Sequence, residues 1–201
     1  NSYGPTGTLG TKYSMTGDKN YENYIVKYSP GGQVQWLTKI GGSYIELPTA
    51  ISIDSNDNLY VSGSSNSNPI NVYSANSYGP TGTLGTKYSM TGDGGDDNTD
   101  NYIVKYSSGG LVQWLTKIGG SLSDQPTAIS IDSNDNLYVS GYSSSNPINV
   151  YSANSNSPTG TLGIPYSMTG DGGGNIDNYI VKYSSELNYF YELNGPTGSH
   201  D

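Results

Sequence analysis

The chain is 201 residues long and carries 17 acidic residues against eight lysines and no arginine, a net charge of -9. Nucleic acid is excluded as an expected partner, because a phosphate-binding surface needs clustered cations and these lysines stand singly; the absence of cysteine excludes disulfides and thiolate metal sites. No apolar run reaches the length of a membrane-spanning helix, and a hydrophobic share of 32% confines the core to short strands between polar loops.

In chain order, residues 1–18, NSYGPTGTLGTKYSMTGD, return unchanged at 76–93. They are the tail of a repeat whose beginning is missing, so a processed product or a fragment is expected. Residues 23–42, NYIVKYSPGGQVQWLTKIGG, return at 101–120 as NYIVKYSSGGLVQWLTKIGG. Tyr24, Val26 and Tyr28 alternate with Ile25 and Lys27, a period of two that predicts strand. The SPGG and SSGG links between the two halves predict a hairpin, glycine supplying the positive φ of the reversal. Residues 48–54, PTAISID, predict the next strand, DSNDN at 54–58 the turn, and NLYVSG at 58–63 the returning strand. A long polar excursion, 64–100, precedes the third strand at 101–107 and the fourth at 111–118. Laying 23–93 over 101–171 gives a period of 78 with 59 of 71 positions identical. In the third copy ELNYFYELNG at 186–195 stands where WLTKIGG is due, a degenerate last strand. The expected core of each unit is Trp36 or Trp114 with Val34, Ile40, Ile51, Ile53, Leu59 and Val61 and their counterparts 78 residues on.

The string W-x-x-x-x-G-G-S, then TAISIDSNDNLYVSGSS, a proline-containing link, then DNYIVKYS-x-G-G resembles the bacterial SBBP repeat, a family named for its seven-bladed β-propellers. The sequence departs from that pattern in having Asp57 and Asp135 where the family usually has Gly, and in the length of the excursion. The resemblance implies an all-β fold of β-propeller-type, four-stranded antiparallel blades. It implies little about activity, because propellers host many functions. The chain then divides into a partial blade (1–42), a complete blade with a long loop insertion (43–120) and a third blade with a degenerate last strand and C-terminal tail (121–201). That is about two and a half blades, not closed by this chain alone, since a closed propeller needs at least about four.

Three features could carry chemistry. DSNDN at 54 and 132 opens like a calcium loop but has Leu59 and Leu137 where the loop needs Gly, and Ser65 and Ser143 where it needs Glu, so a hairpin turn is expected, its Asp accepting from backbone amides and an Asn in the left-handed conformation. The loops after each MTGD begin at Asp18, Asp93 or Asp171 and end at Glu22, Asp100 or Asp177. Glycines between hard oxygen donors suit Ca²⁺, with Asp93, Asp100, Asp171 and Asp177 as the ligands, against the simpler reading of a solvated acidic loop without cofactor. In the excursions Tyr3, Tyr13, Tyr78, Tyr88 and Tyr166 stand beside Ser, Thr and Asn, an arrangement that stacks on sugars or packs the loop onto its own blade.

No catalytic constellation is motivated: the one histidine, His200, is penultimate, and there is no cysteine or arginine. The expected function is a non-enzymatic structural repeat protein of an extracellular surface, cell surface, filament or particle, assembling through β-blade contacts with other copies of itself or with the remaining blades of a longer chain. The alternative is a carbohydrate- or protein-binding propeller module that uses the Tyr/Thr/Gly-rich loops, with a glycan as partner.

Overall fold

The computed structural model describes residues 11–17, 21–77, 79, 83–92, 98–153, 162–163, 165–170 and 176–185. These residues form thirteen strands and no helix. The first hairpin is β1 (Asn23–Tyr28) and β2 (Val34–Gly41), paired antiparallel. Its turn closes through Gly32 N–H to the Ser29 carbonyl at 2.9 Å, with Gly32 at φ 76°. β3 (Glu46–Ile53) and β4 (Leu59–Ser65) follow, with the DSNDN turn between them.

The excursion contains a hairpin that the period-two pattern did not signal: β5 (Ile70–Tyr73) with β6 (Lys87–Met90). The unit then continues with β7 (Asp100–Tyr106) and β8 (Val112–Gly119). The next unit repeats the order as β9 (Asp124–Ile131), β10 (Leu137–Ser143), β11 (Ile148–Tyr151), β12 (Pro165–Met168) and β13 (Asp177–Tyr183).

Three sheets result, in the orders β1-β2-β5-β6, β12-β11-β8-β7-β4-β3 and β13-β10-β9. The four-stranded antiparallel blade expected from the sequence is the run β8-β7-β4-β3. Each excursion hairpin crosses over to extend the sheet of the preceding unit. Gly41 pairs with Asn71 and Gly119 with Asn149, and the hydroxyls of Thr38 and Thr116 donate to the carbonyls of Tyr73 and Tyr151 at 2.6 and 2.7 Å. Short strands of this kind form only where a neighbour supplies the ladder. Residues 12–15 read KYSM like β6 yet form no strand.

Two cores lie between the sheets. Ile25, Trp36, Ile40, Ile70, Val72 and Met90 of the first sheet pack on Tyr102, Val104 and Tyr106 of β7. Ile103 of the same strand points to the other face and joins Tyr60 and Ile118 against Leu137, Val139 and Tyr179. β7 is thus buried on both faces, each apolar side chain contributing roughly 1.5 to 3 kcal/mol.

Two of the expected core residues are placed otherwise. Ile51 and Ile53 are 65% and 59% exposed, whereas their counterparts Ile129 and Ile131 pack against the second core. β3 is the edge of its sheet, and among the described residues the first sheet has no counterpart of β3 and β4 to cover these side chains. Trp36 is buried at 6% exposure, while Trp114 is only partly buried, edge-on to Tyr60 at 5.7 Å and stacked on Tyr183 at 6.4 Å.

Candidate functional site

The DSNDN turns are built around their first carboxylate. Asp54 accepts from the backbone amides of Asn56 and Asn58, from the Asn58 side chain, all at 2.9 Å, and from Tyr60 and Lys105 at 3.2 Å. Burial pushes its carboxyl upward, but these donors, Asn58 foremost, outweigh burial and hold it below the ordinary carboxylate value. Asp132 repeats the arrangement with Asn136, whose amide is the main cause of a pKa lowered to about 2. The left-handed residue is not the expected Asn but Asp57 in one turn and Asp135 in the other, both at φ 61°. These are the positions where the resembled family has Gly, which reaches that conformation without steric penalty.

The two left-handed aspartates differ in partners. Asp135 accepts from Ser55 N–H at 2.9 Å and Ser55 Oγ at 2.6 Å, tying one unit to the next. Asp57→Gly is therefore expected to raise stability by about 0.5 kcal/mol through relief of backbone strain. Asp135→Gly is expected to lower it, because about 0.5 to 1.5 kcal/mol is lost with each hydrogen bond. Urea denaturation of both variants checks the opposite signs.

The acids that close the MTGD loops lie at the mouths of the strands. Glu22 receives Lys39 Nζ at 2.6 Å, both side chains nearly inaccessible. One repeat on, Asp100 faces Lys117 at 3.5 Å, and Lys117 also lies over the Tyr151 ring at 5.2 Å. Behind each pair is a second buried acid. Glu46 accepts from Ser65 Oγ at 2.9 Å, and Asp124 accepts from Ser143 and, at 2.8 Å, from Ser145. Of the proposed calcium ligands, Asp100 is thus opposite an ammonium group, Asp177 begins β13, and Asp93 and Asp171 lie outside the described residues. Among the described residues no three His, Cys, Asp or Glu side chains gather as a cation site. Chelation with EDTA is expected to leave the melting temperature unchanged; a fall would assign a bound cation to these loops.

The tyrosines separate. Tyr88 packs against the first core, and Tyr166 is 48% exposed on β12. Tyr13 lines a cleft of about 630 Å³ together with Met15, Tyr24, Val26, Tyr28 and Leu37. Tyr3 and Tyr78 lie outside the described residues, as does His200. Sequence reasoning missed Tyr24 and Tyr28 as surface residues, although their alternation on β1 already placed them on one face.

It also missed a polar ladder through the stack. Asn23 Nδ2 donates to the Tyr102 hydroxyl at 2.9 Å, and Asn101 Nδ2 to the Tyr179 hydroxyl at 3.0 Å. Burial holds both phenols well above the ordinary tyrosine range, so each stays protonated, and its oxygen accepts the amide. The signal was the N-Y dipeptide recurring at the start of every third strand. The bonds formed by these charged and polar side chains run mostly between strands or between units, an arrangement that fixes sheets relative to one another.

Comparison with known proteins agrees with this repeat architecture. An uncharacterized WD repeat-containing protein of Acanthamoeba polyphaga mimivirus is 29% identical over 152 residues, covering 67% of this chain and 10% of the relative. The regulatory protein FlaEY of Caulobacter vibrioides is 29% identical over 90 residues, covering 45% of this chain and 8% of that protein. The chain therefore spans a tenth or less of the length of these relatives. Residues 35–71 and 113–149, each running from a tryptophan strand through the DSNDN turn into the excursion hairpin, match the family model of the SBBP beta-propeller repeat, in keeping with the all-β antiparallel sheets of the described residues.

Proposed function

We propose that this chain is a non-enzymatic structural repeat module of an extracellular surface, filament or particle, assembling through contacts between blades. The observation that carries this reading is the sharing of strands between units: β5 and β6 complete the sheet of β1 and β2, and β11 and β12 complete that of β8. Strand exchange makes each unit depend on its neighbour, the behaviour of a quasi-one-dimensional repeat array. The net charge of -9 and the Tyr, Asn, Ser, Thr and Gly-rich surface suit an exposed, soluble array. Further support comes from Asp54, Asp100, Asp124, Lys39 and Lys117, which are engaged in turns and buried contacts where catalysis would need them accessible.

Electron microscopy of the material as isolated tests the reading. An ordered ring, filament or lattice with blade-to-blade contacts is the expected image, and dispersed particles would overturn it. A second reading, a carbohydrate- or protein-binding module, is favoured by the aromatic cleft at Tyr13, Tyr24 and Tyr28. A defined sugar preference on a glycan array would move the assignment to that reading.

A further inference from the structure

We propose that the cavity beside Trp114, at the junction of the second and third units, binds a single neutral sugar ring. This goes beyond the structural-module reading above and depends neither on it nor on the cleft at Tyr13.

One sequence meets a tryptophan at two junctions and behaves differently at each. NYIVKYSS runs from 101 to 108 and again from 178 to 185, followed by Gly109-Gly110 in the first place and by Glu186-Leu187 in the second. At the first junction the Ser108 carbonyl accepts from Trp36 Nε1 at 3.0 Å. Gly110 packs so close that a Cβ there would stand 2.8 Å from Trp36 Cδ2 and 2.6 Å from Ala75 Cβ. Only a residue without a side chain fits that approach. At the second junction Ser185, the match of Ser108, binds the DSNDN turn of its own unit instead: its N–H donates to Asn136 Oδ1 at 3.2 Å and its hydroxyl to the Asn134 carbonyl at 2.9 Å. Trp36 is therefore buried, whereas Trp114 is only partly so, and among the described residues its indole N–H meets no acceptor.

Beside it lies a cavity of about 170 Å³, walled by the rings of Trp114, Tyr60 and Tyr183. Gln113, exposed on β8 at the same cavity, brings an amide that both donates and accepts. The two charged side chains of the lining are already matched. Lys105 is 3.2 Å from Asp54, and Asp135 accepts from Ser55 N–H and Oγ. An ionic ligand would have to break one of these contacts, so the site suits a neutral molecule. Aromatic walls take the C–H face of a pyranose, while the indole N–H and the Gln113 amide supply directed hydrogen bonds to its hydroxyls. The volume is that of about one such ring.

Nuclear magnetic resonance titration of the full chain with the methyl glycosides of glucose, galactose and mannose tests the site, with glucuronate and inorganic phosphate as charged comparisons. At least one glycoside is expected to bind with a dissociation constant of about 1 mM, the strength within reach of a ligand this small. It should shift the indole N–H resonance of Trp114 and leave that of Trp36 in place. Gln113→Ala, and Trp114→Phe, which keeps an aromatic wall and removes the indole N–H, should each weaken binding about three- to tenfold. Circular dichroism verifies the fold of both variants; Gln113 is exposed, so its variant carries the test alone if Trp114→Phe unfolds. A disaccharide that binds as well as the glycoside would assign the site to the terminal ring of a glycan, and one that fails would assign it to a free sugar. Failure of all three glycosides to bind, or tighter binding of glucuronate or phosphate, would overturn the proposal. So would glycoside binding that leaves the Trp114 resonance unmoved or is unchanged by Gln113→Ala, since the sugar would then lie elsewhere. The microscopy image that tests the structural-module reading is independent of each of these results.

Discussion

Replacing Gly63 by Ala should lower stability by about 3 kcal/mol, and Gly141→Ala should do the same one repeat later. Gly63 is directly opposite Tyr102 in the β4–β7 ladder, and Gly141 opposite Tyr179 in β10–β13. The phenol ring lies across the glycine: a Cβ on Gly63 would stand 2.5 Å from Tyr102 Cζ and would also meet the Tyr102 hydroxyl oxygen and the Leu47 carbonyl. The ring cannot retreat. Tyr102 is fully buried in the first core and held at its tip by Asn23. Nor can the backbone, because β3 closes over the glycine from the other side through the irregular register between Pro48 and Ala50. Overpacking of this kind forces off-rotamer side chains and backbone shifts together. For a chain of this size the melting temperature should fall by about 6 to 12 °C. Gly31→Ala is the control. The nearest atom to a Cβ there is Ser29 Oγ at 3.8 Å, and its midpoint in urea should move by less than about 0.5 kcal/mol. A loss below about 1 kcal/mol at both Gly63 and Gly141 would reject the ring-over-glycine packing.

The strands were legible wherever the period of two ran for six residues or more, and the SPGG, SSGG and DSNDN links marked their turns, because these signals are local. The excursion hairpins were not. INVY and KYSM are four residues long, and KYSM is a strand at 87–90 and irregular at 12–15, so the deciding interaction is the ladder offered by the neighbouring unit. Burial failed for the same reason: PTAISID is identical in two units, yet Ile51 and Ile53 face solvent while Ile129 and Ile131 pack. At the candidate site, glycines between acidic residues suggested Asp100 as a cation ligand, whereas the structure sets it opposite Lys117 at 3.5 Å. Nothing in the alternation of β8 announced that Lys117 would be fully buried. The left-handed turn position was misplaced by one residue, since Asn and Asp share the short polar side chain that tolerates it.

Asp100→Asn is expected to lower stability by about 3 kcal/mol, and the additional change Lys117→Met to restore most of it. Lys117 is 0% exposed and Asp100 3%, with the ammonium 3.5 Å from the carboxylate. Two charges taken out of water gain little net energy from each other, but neutralising Asp100 takes a close counter-charge away from the buried ammonium in a medium that solvates it poorly. The Asp100→Asn variant keeps the shape and loses the charge, so its cost reads that imbalance rather than a cavity. Methionine at position 117 keeps the length of the lysine stem and can rest on the Tyr151 ring, over which the ammonium now sits at 5.2 Å. The double-mutant cycle should therefore show strong coupling between the two positions, well above the few tenths of a kcal/mol found for distant sites. The outer lysine of the third unit gives the contrast. Lys182 is half exposed and 4.0 Å from Asp132, and Lys182→Met should leave the unfolding midpoint unchanged because solvent already screens that pair. If Asp100→Asn proved as harmless as Lys182→Met, the carboxylate would be exchanging with water and free to take a cation. If instead the double variant were no more stable than Asp100→Asn alone, the burial of Lys117 would have a different counter-charge as its support.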